Sequence, residues 1–86
     1  MENKVQEGMP TIFRSGPYRF FFYSGDREEP PHIHVQPDED LAKFWLEPVR
    51  LQDNNGFRAS ELGAVQRLVV QRSQELIEAW QEYFED

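Results

Sequence analysis

The sequence predicts one small α+β domain: a mostly antiparallel sheet of four or five short strands, with a long C-terminal helix packed on one face. Its 86 residues leave room for a single core. Short runs rich in aromatic and β-branched residues, separated by Gly and Pro turns, fill the first two thirds of the chain. After Ser60 the apolar spacing changes to the steps of an amphipathic helix.

Each strand is predicted from an extended apolar run between turn signals. A first hairpin is expected around Ser15-Gly16-Pro17, because strands joined by about three residues that include Gly form hairpins. Two prolines then lead into the third strand, since they cannot donate hydrogen bonds within a sheet. The Asn54-Asn55-Gly56 turn is expected to end the last strand. The predicted strands are 10–14, 18–23, 32–36, 41–46 and 49–51.

The helix is predicted to start at Ser60, a favourable N-cap residue, with Glu61 in its first turn. Its apolar stripe consists of Leu62, Val65, Val69, Leu76, Trp80 and Tyr83. A continuous helix to about Glu85 would be roughly 37 Å long, whereas strands of five or six residues span about 17–20 Å. We therefore expect the helix either to bend near Arg72 and Ser73 or to overhang the sheet.

Composition limits the classes of function. The net charge of −7 disfavours nucleic-acid and anionic-membrane binding without excluding a local basic patch. No cysteine is present, so disulfides and thiolate zinc sites are excluded. Residues 1–8 are too polar for a signal peptide, and we expect a disordered tail there, a single domain over 9–86, and a cytoplasmic location.

The order of these features resembles a small bacterial family known as domain of unknown function 4160. The resemblance covers Met9 to Phe84, and its most specific segments are Pro-Pro-His-x-His at Pro30–His34 and Leu-Ile-Glu-Ala-Trp at Leu76–Trp80. It implies a compact α+β fold but transfers no reaction. Members are often encoded beside a second small protein, which implies a two-gene, toxin–antitoxin-like system.

His32 and His34 are the strongest candidate site. They share one face of the predicted strand, while Ile33 and Val35 face the helix, so the imidazoles are expected on the open side of the sheet. They could bind a divalent metal, with a carboxylate from Asp26, Glu28 or Glu29. They could instead act as the acid and base of a metal-independent ribonuclease, with charge stabilisation from Arg14, Arg19 or Arg27. The pair could also contact a protein partner, or be exposed without a role.

Trp80, Tyr83 and Phe84 form the second candidate. They are expected in the core, with an interface as the alternative if the helix overhangs the sheet. Taken together, the sequence favours a non-enzymatic interaction module that binds a small protein partner, a second copy of itself, or both. The histidine-dependent ribonuclease and the divalent-metal-binding protein are the alternatives, and no other cofactor is expected.

Overall fold

Five antiparallel strands, two α-helices and a short 3-10 helix make up the computed structural model, which describes residues 11–37 and 41–84. Each strand pairs with the next one in the sequence, so the order across the sheet is β1-β2-β3-β4-β5. The α+β prediction is confirmed. The elements are β1 (Thr11–Ser15), β2 (Tyr18–Phe21), β3 (His32–Gln36), β4 (Leu41–Leu46), β5 (Val49–Asn55), α1 (Ala59–Gln71) and α2 (Ser73–Phe84).

Some predictions fall on residues outside the described ranges. These are the tail over residues 1–8, the start of the first strand at Pro10, most of the turn over residues 37–40, and the end of the helix at about Glu85. None of the helices in the described part of the chain is long and apolar enough to cross a membrane.

Two strands end at residues other than those predicted. β2 stops at Phe21 rather than Tyr23, because a 3-10 helix, Ser24–Glu28, takes the chain out of the sheet. β5 continues to Asn55 rather than stopping at Leu51. Asn54 and Asn55 of the predicted turn pair with Ala42 and Leu41 of β4 instead, and Gly56 follows the end of the strand.

The helical segment is divided at Arg72, which agrees with the first of the two alternatives, an interruption near Arg72 and Ser73. The 13 residues of α1 and the 12 of α2 give helices of about 20 and 18 Å. Each is about as long as a strand of five or six residues, which spans about 17–20 Å. The predicted N-cap is wrong: α1 begins at Ala59, and Arg58 occupies the cap position. The Glu61 carboxylate accepts the Arg58 backbone N–H at 2.9 Å and so satisfies a donor at the helix start.

One face of the sheet and both helices enclose the hydrophobic core. On the sheet side, Phe20, Ile33 and Phe44 are fully buried, as alternation along the strands predicts. On the helix side, the buried residues are Val65, Val69, Leu76, Trp80 and Phe84. The opposite face of β3 therefore carries His32 and His34, and the residues that cover them determine what the pair can do.

Candidate functional site

The 3-10 helix places the carboxylate of Asp26 beside the histidine pair. Its backbone closes with the Asp26 N–H donating to the Tyr23 carbonyl at 3.0 Å. In return, the Tyr23 N–H donates to Asp26 Oδ2 at 2.9 Å, so the side chain is held against its own turn. Asp26 is only 8% exposed, although its neighbours Arg27 and Glu28 are exposed. This polar segment thus turns one carboxylate inward.

Asp26, His32 and His34 form a compact cluster, which we call the Asp-His-His cluster. Asp26 Oδ2 lies 3.0 Å from His32 Nε2 and 3.1 Å from His34 Nε2. The two imidazole rings are perpendicular, with centroids 4.9 Å apart. One ligand atom from each residue can be chosen so that all three atoms lie within 4.8 Å of one another. The three side chains therefore face a common point.

His32 is fully buried and is oriented by a backbone carbonyl. Its Nδ1 lies 2.9 Å from the Pro30 oxygen, and a carbonyl only accepts, so Nδ1 carries the proton of that bond. Its Nε2 is within ion-pair distance of Asp26 but makes no aligned hydrogen bond with any described residue. Trp80 of α2 covers the same ring, at a centroid distance of 4.9 Å.

His34 is 6% exposed and lies between aromatic rings. Phe21 stacks on it at 5.5 Å, and Tyr23 meets it edge-on at 4.6 Å. Burial lowers the pKa of His34 below its ordinary value, and the nearby Asp26 carboxylate opposes part of that effect. Its Nδ1 is buried and has no hydrogen-bond partner among the described residues.

The expectation of two imidazoles on an open side of the sheet is therefore wrong. Alternation does place them opposite Ile33 and Val35, but the 3-10 helix and surrounding aromatic rings cover that side. His32 also contacts the C-terminal helix through Trp80, which the sequence did not predict. His32 contacts Trp80 because it is the first residue of β3 and lies within reach of α2.

The three candidate arginines occupy different environments. Arg14 is exposed on β1. Arg19 donates to Thr11 Oγ1 at 2.7 Å and lies over the ring of Phe21, 4.3 Å from its centroid. The guanidinium of Arg27 lies 6.0 Å from the ring of Phe84. Arg19 and His34 thus both pack on the ring of Phe21.

Only Asp26 of the three candidate carboxylates reaches both rings. Glu28 is exposed, and Glu29 pairs with Lys43, which lowers the pKa of Glu29. Glu29 Oε1 is 3.9 Å from His32 Nδ1, on the ring edge turned to Pro30. The capping geometry of the 3-10 helix is the local signal that separates Asp26 from its neighbours.

The three aromatic residues at the end of α2 divide between core and surface. Trp80 and Phe84 are 7% and 9% exposed and pack on each other and on Phe22, as the core prediction requires. Tyr83 is 37% exposed. Of these three residues, Tyr83 presents the largest exposed fraction.

A cleft of about 290 Å³ lies beside the cluster. Pro30, Pro31, Trp45, Glu47 and Arg50 line it, and neither imidazole does. The Trp45 ring meets His32 edge-on at 5.7 Å. A molecule in this cleft would therefore contact Trp45 rather than the histidines.

Comparison with known proteins identifies a family. The family model described as domain of unknown function (DUF4160) matches residues 18–81, which include the Asp-His-His cluster. No curated protein and no solved structure matches the chain.

Proposed function

Since the chain belongs to the DUF4160 family, whose description carries no reaction, we propose that it is a non-enzymatic interaction module. Its exposed sheet edge binds an extended segment of a second small protein. The setting we propose is a two-gene, toxin–antitoxin-like system, as the family resemblance implies.

The observation that carries the proposal is the length and exposure of β5. It is the longest strand of the sheet, with seven residues, and it lies at the edge with β4 as its only neighbour in the described sheet. All positions from 50 to 55 are exposed. An edge strand presents backbone donors and acceptors that an added strand can pair with, and β5 spans about 23 Å for such pairing.

Leu51 gives this edge an exposed apolar side chain. Leu51 is 38% exposed and is one of three large apolar side chains exposed in the described part of the chain. Backbone pairing supplies affinity in strand addition, and an apolar contact beside it supplies specificity. The opposite edge is less suited, because β1 has five described residues and only Arg14 among them is exposed.

The burial of the histidines supports a non-enzymatic role. A ribonuclease that uses imidazoles as acid and base needs both rings within hydrogen-bond reach of its substrate. His32 has no exposed surface, and the Nε2 atoms of both rings face Asp26. The chain has to open around the cluster before a phosphodiester could reach His32.

The test is binding to the product of the gene adjacent to this one. Both proteins are purified, and affinity is measured by calorimetry for wild type, Leu51→Lys and Val70→Lys. A charged side chain at position 51 disfavours the pairing of another strand with β5, so we expect at least a tenfold loss of affinity. Val70 is the matched control, since it is apolar and 52% exposed but lies on α1 rather than on the sheet edge. Its change should alter affinity less than twofold.

Backbone amide exchange locates the contact. We expect new protection along β5 in the complex and none along β1. Absence of binding, equal losses in the two lysine variants, or protection confined to another element would overturn the proposal. So would sedimentation that shows β5-dependent self-association in place of a complex.

A further inference from the structure

We propose that Asp26, His32 and His34 form a binding site for one divalent transition-metal ion, with zinc as the best match. This goes beyond the proposed interaction function and uses a different part of the molecule. It rests on the tautomer of His32, the spacing of three ligand atoms, and the burial of the cluster.

The tautomer of His32 leaves a lone pair directed at a carboxylate. Its Nδ1–H donates to the Pro30 carbonyl, so Nε2 of the neutral ring has no proton. That Nε2 lies 3.0 Å from Asp26 Oδ2, which is also an acceptor. Two acceptors at this distance repel each other unless a cation lies between them. Either a metal ion or a second proton on the ring supplies that cation.

The spacing of the ligand atoms suits a small tetrahedral ion. Zinc binds imidazole nitrogen and carboxylate oxygen at about 2.0–2.2 Å, so neighbouring ligand atoms in a tetrahedron lie about 3.3–3.6 Å apart. The two Nε2 atoms lie 3.0 and 3.1 Å from Asp26 Oδ2. His34 Nε2–H donates to that oxygen in the metal-free chain, so metal binding at this atom releases the proton or moves it to Nδ1 of the same ring. The three ligand atoms lie within 4.8 Å of one another. An ion therefore fits if the two distances to Asp26 lengthen by a few tenths of an ångström and the two imidazole nitrogens come to tetrahedral spacing.

The environment of His32 resembles that of a metal ligand in another respect. Metal-binding histidines commonly donate their second ring N–H to a carbonyl or carboxylate, which fixes the ring and raises its basicity. The Pro30 carbonyl does this for His32. Pro30 and Pro31 precede the histidine directly, so the rigid backbone of the double proline holds that acceptor in place. Pro30 thus acts as a positioning residue.

Burial and ligand type select the class of metal. The side chains of His32, His34 and Asp26 are 0%, 8% and 11% exposed, so a bound ion would be largely shielded from water. Magnesium and calcium prefer six or more oxygen ligands, which this cluster does not offer. Two imidazoles and one carboxylate suit zinc and related transition metals, with a water on the Asp26 side completing four ligands.

The experiment uses untagged protein, because a polyhistidine tag would bind the same ions. After chelator treatment and its removal, zinc chloride is titrated by calorimetry at pH 7.5. We expect one equivalent to bind and the melting temperature to rise with zinc concentration. Cobalt(II) substitution should give the strong visible absorption of a tetrahedral site, which weak surface binding does not produce.

Matched variants test the ligands. Asp26→Asn and Glu29→Gln each remove one negative charge from the same segment, and Asn keeps an oxygen that can accept the Tyr23 N–H. We expect Asp26→Asn and His34→Gln to weaken zinc binding at least 100-fold, and Glu29→Gln less than threefold. Circular dichroism of each variant establishes that it is folded.

Three results would overturn the site. They are no zinc binding below millimolar concentration, equal affinity in Asp26→Asn and Glu29→Gln, and octahedral cobalt spectra. Nitrogen-15 NMR of the imidazoles tests the rival explanation: a His32 ring that stays doubly protonated at pH 7.5 after zinc addition places a proton, not a metal, beside Asp26. These measurements use the chain alone, so their failure is independent of partner binding.

Discussion

Replacing Trp80 with alanine should separate a core role from an interface role at the end of α2. Trp80 is 7% exposed, and its ring centroid lies 5.2 Å from that of Phe22, 4.3 Å from that of Phe84 and 4.9 Å from that of His32. Removing a buried Trp costs about 3–5 kcal/mol, through the lost transfer free energy and the cavity left behind. A domain of 86 residues has a free energy of unfolding of about 4–13 kcal/mol.

The variant should therefore lose at least about a quarter of its stability, and all of it if the free energy of unfolding is at the low end of this range. In a domain of this size, each kcal/mol corresponds to roughly 4–8 °C, so the melting temperature should fall by about 12–40 °C. Urea unfolding followed by far-UV circular dichroism measures the change without relying on the deleted indole. Tyr83→Ala is the control, because that side chain lies on the same helix but is 37% exposed; we expect a loss of about 1 kcal/mol.

Equal losses in the two variants, or a loss below about 1 kcal/mol for Trp80→Ala, would refute this account of the core. An interface residue behaves differently: its removal weakens partner binding while the free energy of unfolding stays unchanged. Measuring both quantities on the same preparation distinguishes the two roles.

Other predictions concern the turns, the helix start and His34. Gly16 has a φ of +57° and open space where a Cβ would lie, so Gly16→Ala should cost about 1–2 kcal/mol from backbone strain alone. Gly25 is the control, because it has equally open space. Gly25→Ala should change the free energy of unfolding, measured in urea, by less than about 0.5 kcal/mol. Ser60→Ala should be neutral within about 0.5 kcal/mol, and Glu61→Ala should cost about 1 kcal/mol, because the Glu61 carboxylate satisfies the donor at the start of α1. The pKa of His34 is lower in the folded than in the unfolded state, so the unfolded state binds more protons in acid. With chelator present, the free energy of unfolding should therefore be highest above about pH 6.5 and should fall as the pH drops below that value. The fall should be less steep in His34→Gln. Wild type and His34→Ala should show the same background level of RNA cleavage in a gel assay, and histidine-dependent cleavage would contradict the non-enzymatic proposal.

The strands could be predicted where local and tertiary preferences agree. His32–Gln36 and Leu41–Leu46 have the predicted bounds. Apolar residues alternate with polar ones in the first, the second is a short run rich in apolar residues, and turn residues flank both. The predicted β5 is too short because Asp53, Asn54 and Asn55 favour turns as isolated residues. Their pairing with β4 overrides that preference, and such long-range pairing is not visible in a local pattern.

The candidate site could be predicted in its residues but not in its environment. Alternation correctly places His32 and His34 on one face of β3, since it depends only on strand geometry. Their burial depends on a polar segment folding back and on Trp80 reaching the start of the strand. Neither contact follows from periodicity, and Asp26 differs from Glu28 and Glu29 only through the local turn that it caps.

The sequential order of the sheet has a consequence for synthesis on the ribosome. Each strand finds its partner in the segment made just before it, so the meander can assemble hairpin by hairpin with little loss of loop entropy. The two helices emerge later, and until then Phe20, Ile33 and Phe44 have no cover. During that interval, nascent chains can associate through the bare apolar side of the sheet. Fast translation of α1 and α2 shortens the time for which this side is uncovered. The yield of soluble protein should therefore depend on the translation rate of the last third of the message.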